Sequence, residues 1–183
     1  MMSLASVFWL LLIIFAIVGG FRGWAKEILV AFSMITALAI DTMLTKFLPP
    51  VGSLLVQPTA TAFYIRAAIV LIMAYFGYQT PNLPGFTGTS RFVREKLQDW
   101  LLGSIIGLIN GYLIVGSLWY YMSKAQYNGV EAFVIPPESL AMVGINPATV
   151  INYLNYMPPV LLGYPTVIFA VVIAFVFVII VFV

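Results

Sequence analysis

Apolar residues run in five long blocks along the chain, and the polar residues gather between them. A helix needs about 20 apolar residues to cross a hydrocarbon core about 30 Å thick, with about 17 as the lower end. By that measure spans are predicted over roughly 3–20, from after Glu27 to about Thr45, from about Ala62 to Tyr78, from about Trp100 to Met122, and from about Tyr164 to Val183. The fifth is the plainest, with no polar side chain after Thr166.

The connections differ in kind. Residues 19–26 are too few for anything but a tight antiparallel hairpin, and their glycines supply the backbone freedom such a turn needs. Residues 46–61 hold Pro49-Pro50, Gly52 and Pro58. Residues 79–99 open with Pro81, Pro84, Gly85 and Gly88, and then offer an amphipathic helix from Arg91 to Trp100. Phe92, Val93, Leu97 and Trp100 share one face of it, which predicts a helix lying on the membrane surface. Residues 123–163 form a long external loop with Pro136-Pro137 and Pro158-Pro159 as punctuation. Within it, Asn146-Pro147 reads as the N-cap and first position of a short helix over about 147–156.

Composition turns these blocks into a fold class. Only 8% of the residues are charged and 63% are hydrophobic, with a mean hydropathy of +1.09. A soluble domain needs roughly a quarter of its residues charged. The chain is therefore read as all-α, a polytopic transmembrane helical bundle of five spans. No Lys or Arg precedes the first block and no small-residue cleavage pattern follows it, so it is read as a retained span.

The absence of His and Cys removes imidazole bases, thiolate metal sites and disulfides. An aspartyl dyad needs two carboxylates at depth, and only Asp41 qualifies. No catalytic, cofactor-binding or metal-ligating set is predicted, and a net charge of +2 does not point to nucleic acid. The aromatic residues Trp9, Trp24, Trp100, Trp119, Tyr120, Tyr121, Tyr153, Tyr156 and Tyr164 mostly fall near span ends, as an interfacial belt does. Basic residues set orientation. Arg22, Lys26, Arg91, Arg94 and Lys96 lie on one side, and Lys46, Arg66 and Lys124 on the other. This predicts the N-terminus outside and the C-terminus inside.

Three motifs carry information. Arg22, Gly23, Lys26 and Glu27 sit at the turn into the second span. They read either as a topology anchor, with Glu27 facing the positive end of the helix dipole, or as a binding constellation. Gly103, Gly107 and Gly111 recur every fourth residue, followed by Gly116, and clear one helical stripe for close approach by another helix. Asn110 lies beside the stripe and needs a hydrogen-bond partner at depth. The helix that meets this seam is either another span or another protein. Asp41 and Arg66 each lie about a turn inside the outer end of a span. They form either a clamping salt bridge or two side chains reaching for the interface.

Taken in order, these motifs resemble the colicin V production protein (CvpA) family of bacterial inner-membrane proteins. The resemblance rests on Arg22-Gly23-Trp24-Ala25-Lys26-Glu27, on Arg66-Ala67-Ala68-Ile69, and on Asp99-Trp100-Leu101-Leu102-Gly103 leading into the glycine-rich span through Gly107, Asn110 and Gly111. It covers residues 1–122, a four-span core, with residues 123–163 as the external loop and 164–183 as an added transmembrane helix. Where the family usually has Arg, this chain has Asn110.

The resemblance implies an inner-membrane protein linked to toxin production or export and to envelope integrity, with no catalytic residues to carry over. Beside it, the residues suggest a non-enzymatic scaffold or accessory subunit that contacts the lipid bilayer and either other membrane proteins or its own copies through the glycine seam. The alternative is an oligomeric transporter or channel component.

Overall fold

A computed structural model describes residues 4–79, 93–130 and 152–182. Those residues are helical wherever they are regular, and no strand occurs among them. Helix α1 (Leu4–Arg22) is followed after one residue by α2 (Trp24–Phe47), then by the short α3 (Pro49–Val56) and by α4 (Ala60–Tyr78). The next helix starts as α5 (Val93–Gly111), widens into a π-helical segment (Tyr112–Gly116) and closes as α6 (Ser117–Lys124). A four-residue turn α7 (Pro158–Leu161) and the apolar α8 (Thr166–Phe182) complete it.

Four of these helical stretches are long and apolar enough to cross a bilayer: Leu4–Arg22, Trp24–Phe47, Ala60–Tyr78 and Lys96–Lys124. Helix α8 is shorter at 17 residues and entirely apolar after Thr166. At 1.5 Å per residue it reaches about 25 Å, the lower limit for a span. Large apolar side chains point outward all along the bundle: Ile13, Leu71, Ile105 and Ile173 are each more than half exposed. Lipid tolerates such a surface and water does not.

Packing does not follow chain order. Although α1 and α2 are consecutive, α1 lies chiefly against α5, and α2 chiefly against α4. Helix α5 also touches α2, and α8 lies on the outer side of α2, where Phe32 meets Phe175 at 6.5 Å. The core between α2, α4 and the π segment holds Val30, Met34, Leu38, Val70 and Leu113, all buried.

Several boundaries differ from the sequence expectation, for physical reasons. The glycines read as a turn over 19–26 are not all turn residues. Gly19 and Gly20 are buried near the end of α1, and the turn itself is Gly23 alone, at φ +86°. That left-handed conformation suits glycine, and a Cβ there would sit 3.0 Å from Asp99 Oδ1. Gly23 has no side chain to cap α2, so Asp99 from α5 accepts from the Trp24 N–H at 3.2 Å instead.

The proline-rich link after α2 is itself helical: Pro49 and Pro50 open α3, where a missing N–H does no harm. The surface helix expected over Arg91 to Trp100 is not a separate element, because Val93 to Trp100 are the first turns of α5. Arg91 and Phe92 lie outside the described residues, as do Asn146 and Pro147 and most of the short helix expected from them.

The aromatic belt needs one more correction. Trp119 and Tyr121 are 2% exposed, not interfacial. Trp119 packs on Phe8 and Tyr153, and Tyr121 reaches into the charge cluster described below. Neighbours stand on both sides of α6, Phe8 of α1 against Trp119 and Asp41 of α2 against Tyr121, so both rings are buried where proximity to a span end had suggested the surface.

Candidate functional site

Charges are scarce in this bundle, and those at depth collect in two clusters at opposite ends. The first stands where α1 ends and α2 begins. Arg22 closes α1 and Glu27 lies in the first turn of α2, so the single-residue turn at Gly23 brings them together. Arg22 Nη1 donates to Glu27 Oε1 at 2.6 Å. The same guanidinium donates to the Tyr78 carbonyl at 3.1 Å and lies 4.3 Å from the centre of the Tyr78 ring. Glu27 is completely buried. Its second carboxylate oxygen accepts from Asn110 Nδ2 at 2.7 Å, and its backbone carbonyl accepts from the same nitrogen at 2.8 Å.

Three helices therefore meet on one carboxylate, and α4 joins them through the contact of Tyr78 with Arg22. The sequence had joined Arg22 to Glu27 by proximity and had placed Asn110 beside the glycine stripe. Nothing in the spacing announced that Asn110 and Glu27 would touch across 83 positions. Lys26, the fourth residue of the motif, is half-buried and no ion pair involves it among the described residues. The Asn110 carbonyl oxygen is buried without a hydrogen-bond partner in this arrangement.

The second cluster lies toward the far ends of α2 and α4. Arg66 Nε donates to Asp41 Oδ1 at 2.9 Å, so the two side chains are paired rather than reaching separately for the interface. Both are about one-eighth exposed. Tyr121 donates its hydroxyl proton to Asp41 Oδ2 at 3.0 Å, and its ring lies 5.1 Å from the Arg66 guanidinium carbon. Sequence reading assigned Tyr121 to the interfacial belt and missed its contact with Asp41, which lies 80 positions away. The cluster forms one wall of a cavity of about 460 Å³ that also touches Lys46, Lys124, Tyr120 and Tyr164.

Breaking a buried pair leaves an uncompensated charge and typically costs about 3–5 kcal/mol. Asp41→Arg or Arg66→Asp alone should lower resistance to denaturing detergent, and the reversed pair should recover much of it. Equal losses in single and double variants would show that the two do not act as a pair.

The glycine seam is occupied from within the chain. A Cβ on Gly107 would sit 2.8 Å from Gly19 Cα, and one on Gly111 would sit 2.7 Å from Phe15 Cβ. Gly103 faces the Gly19 carbonyl. The helix that meets the stripe is thus α1, and contact with another protein through that stripe is closed off in this arrangement. Gly116 serves a different neighbour. The step from Gly111 to Gly116 is five residues, the π segment fills it, and Gly116 makes room for Pro158 and Met157.

Among the described residues no group of three or more His, Cys, Asp or Glu stands close enough to hold a metal. What the two clusters can do chemically is neutralise charge inside lipid and tie helices together at fixed depth.

Membrane-length helices held by two internal charge clusters and one glycine seam define a multi-pass membrane protein. The chain belongs to the colicin V production protein family, whose model matches residues 5–145. The match runs past position 122, where the resemblance read from the motifs ends. No curated protein and no solved structure matches the chain.

Proposed function

We propose that this chain is a non-enzymatic scaffold or accessory subunit of a larger membrane complex in the bacterial inner membrane. The observation that carries this reading is the outer face of α8. Phe169, Ile173, Val176 and Ile180 follow one another at helical spacing and are all exposed, while the opposite side rests on α2. That stripe suits an apolar partner helix as well as it suits lipid. Both ion pairs at depth are closed within the chain, and among the described residues they do not join into a continuous row of ionisable groups of the kind a proton or ion relay uses. The family links the role to colicin V production.

The test is purification from native membranes in nanodiscs, with quantitative mass spectrometry. A stoichiometric partner that is lost when Phe169, Ile173 and Val176 are replaced by alanine supports the subunit reading. A homo-oligomer with nothing attached, whose ion flux changes in Asp41→Asn, would replace it with the transporter or channel reading. For that second reading the cavity beside Asp41 is the favouring observation. The orientation we propose has the N-terminus outside and the C-terminus inside, and it is supported by the excess of basic residues near the joined ends of α1, α2 and α5. Because the chain has no cysteine, Gln57→Cys and Gln98→Cys variants report this directly: an impermeant maleimide added to intact cells should label position 57 alone.

A further inference from the structure

The cavity beside Asp41 has a charge balance that the helix-tying role of the ion pair does not need. Among the described residues, three cations reach it, from Lys46, Arg66 and Lys124, against the single carboxylate of Asp41. Arg66 is matched by Asp41 at 2.9 Å, which leaves the two lysines in excess. Neither lysine is paired with a carboxylate of the described residues.

Both lysines are placed rather than loose. Lys46 Nζ lies 4.0 Å from the centre of the Tyr164 ring, and Lys124 Nζ lies 5.3 Å from that of Tyr120. An aromatic face attracts an ammonium group without neutralising it, so each charge is held near the cavity while keeping its donors. The volume of about 460 Å³ falls within the range of small-ligand sites. The rest of the wall is amphipathic, with Leu55, Val56 and Phe63 beside Thr42, Thr45 and Gln57.

We infer that this cavity binds a phosphate group, seated between Lys46 and Lys124 with Arg66 behind it. Lys46 and Lys124 stand in the last turns of α2 and α6, where the spans end and bilayer headgroups begin. The apolar wall suits an acyl portion of the same molecule, and Thr42, Thr45 and Gln57 suit its glyceryl oxygens. An anionic phospholipid meets both conditions, and a soluble phosphate ester meets the first. The inference does not depend on whether the chain is a subunit.

The test uses the full-length chain in mild detergent, incubated with equal amounts of phosphatidylglycerol and phosphatidylcholine and examined by native mass spectrometry. Thermal unfolding with and without glycerol 3-phosphate forms a parallel arm. The wild type should retain phosphatidylglycerol preferentially, and the K46Q/K124Q variant should lose that preference by about tenfold or more, as expected for two cations at headgroup level. A K26Q/K96Q variant, with the same charge removed at the other end of the bundle, should keep it. Both lysines of the cavity are exposed, so the double variant should unfold at the wild-type temperature without ligand.

Stabilisation by glycerol 3-phosphate without lipid retention, again lost in K46Q/K124Q, would identify a soluble ester as the source of the phosphate. Equal retention of both lipids by the wild type, with no response to the ester, overturns the proposal. So does a preference that K46Q/K124Q keeps, or that K26Q/K96Q loses as well.

Discussion

Glu27→Ala lowers the stability of the folded bundle by about 3–5 kcal/mol, the range for removing one partner of a buried pair. The variant strips Arg22 of its 2.6 Å partner and takes from Asn110 one of the two acceptors of its amide. Arg22 keeps the Tyr78 carbonyl and ring, but neither carries a countercharge. Glu27→Gln should fall between wild type and alanine. Its amide fills the same space and keeps an acceptor for Arg22, while the ionic part of the contact is lost. Unfolding in mixed micelles of rising dodecyl sulfate content, followed by far-ultraviolet circular dichroism, measures both. A wild-type midpoint for Glu27→Ala would mean that the cluster contributes nothing to holding the four helices.

Gly107→Leu is expected to be at least as damaging, through packing rather than charge. A Cβ alone would stand 2.8 Å from Gly19 Cα and 2.5 Å from the Phe15 carbonyl oxygen, and backbone cannot rotate away as a side chain does. A leucine there forces α1 off α5, exposing the buried Phe8 and Leu12. The expected outcome is loss of monodisperse protein on size-exclusion chromatography, with Gly107→Ala already destabilised. Gly163→Ala is the control, because its Cβ would meet nothing closer than 3.4 Å. If Gly107→Leu elutes like Gly163→Ala, the close approach of α1 and α5 is not a requirement of the fold.

How much of this was readable beforehand depended on whether a residue had one physical use or several. Long apolar runs have few alternatives to crossing a membrane, and the four longest helices appear where hydropathy predicts them. Asp41 and Arg66 were conspicuous as isolated charges in apolar sequence, and at similar depth each was the other's nearest plausible partner. Gly19 and Gly20 were ambiguous: a glycine beside a turn serves the turn or serves packing, and here they pack. Glu27 had a sufficient local reason to stand in the first turn of a helix, which concealed its contact with Asn110. The π segment left one trace, the change of glycine spacing from four to five after Gly111. Asn110 stands where the family usually carries Arg, and Arg22 already supplies the cation that Glu27 accepts.

The mismatch between chain order and packing order bears on how the protein is made. The first two helices leave the ribosome together, joined by Gly23, yet the surface that α1 needs belongs to α5, which begins at Val93. Until that later segment is synthesised, the glycine face of α1 has only lipid against it, and Glu27 must wait 83 residues for Asn110. The opening hairpin is thus inserted well before it is assembled. Its survival in that interval rests on Arg22 shielding the carboxylate and on whatever in the membrane shelters nascent helices, and the fourth span acts as the keystone that ends the wait.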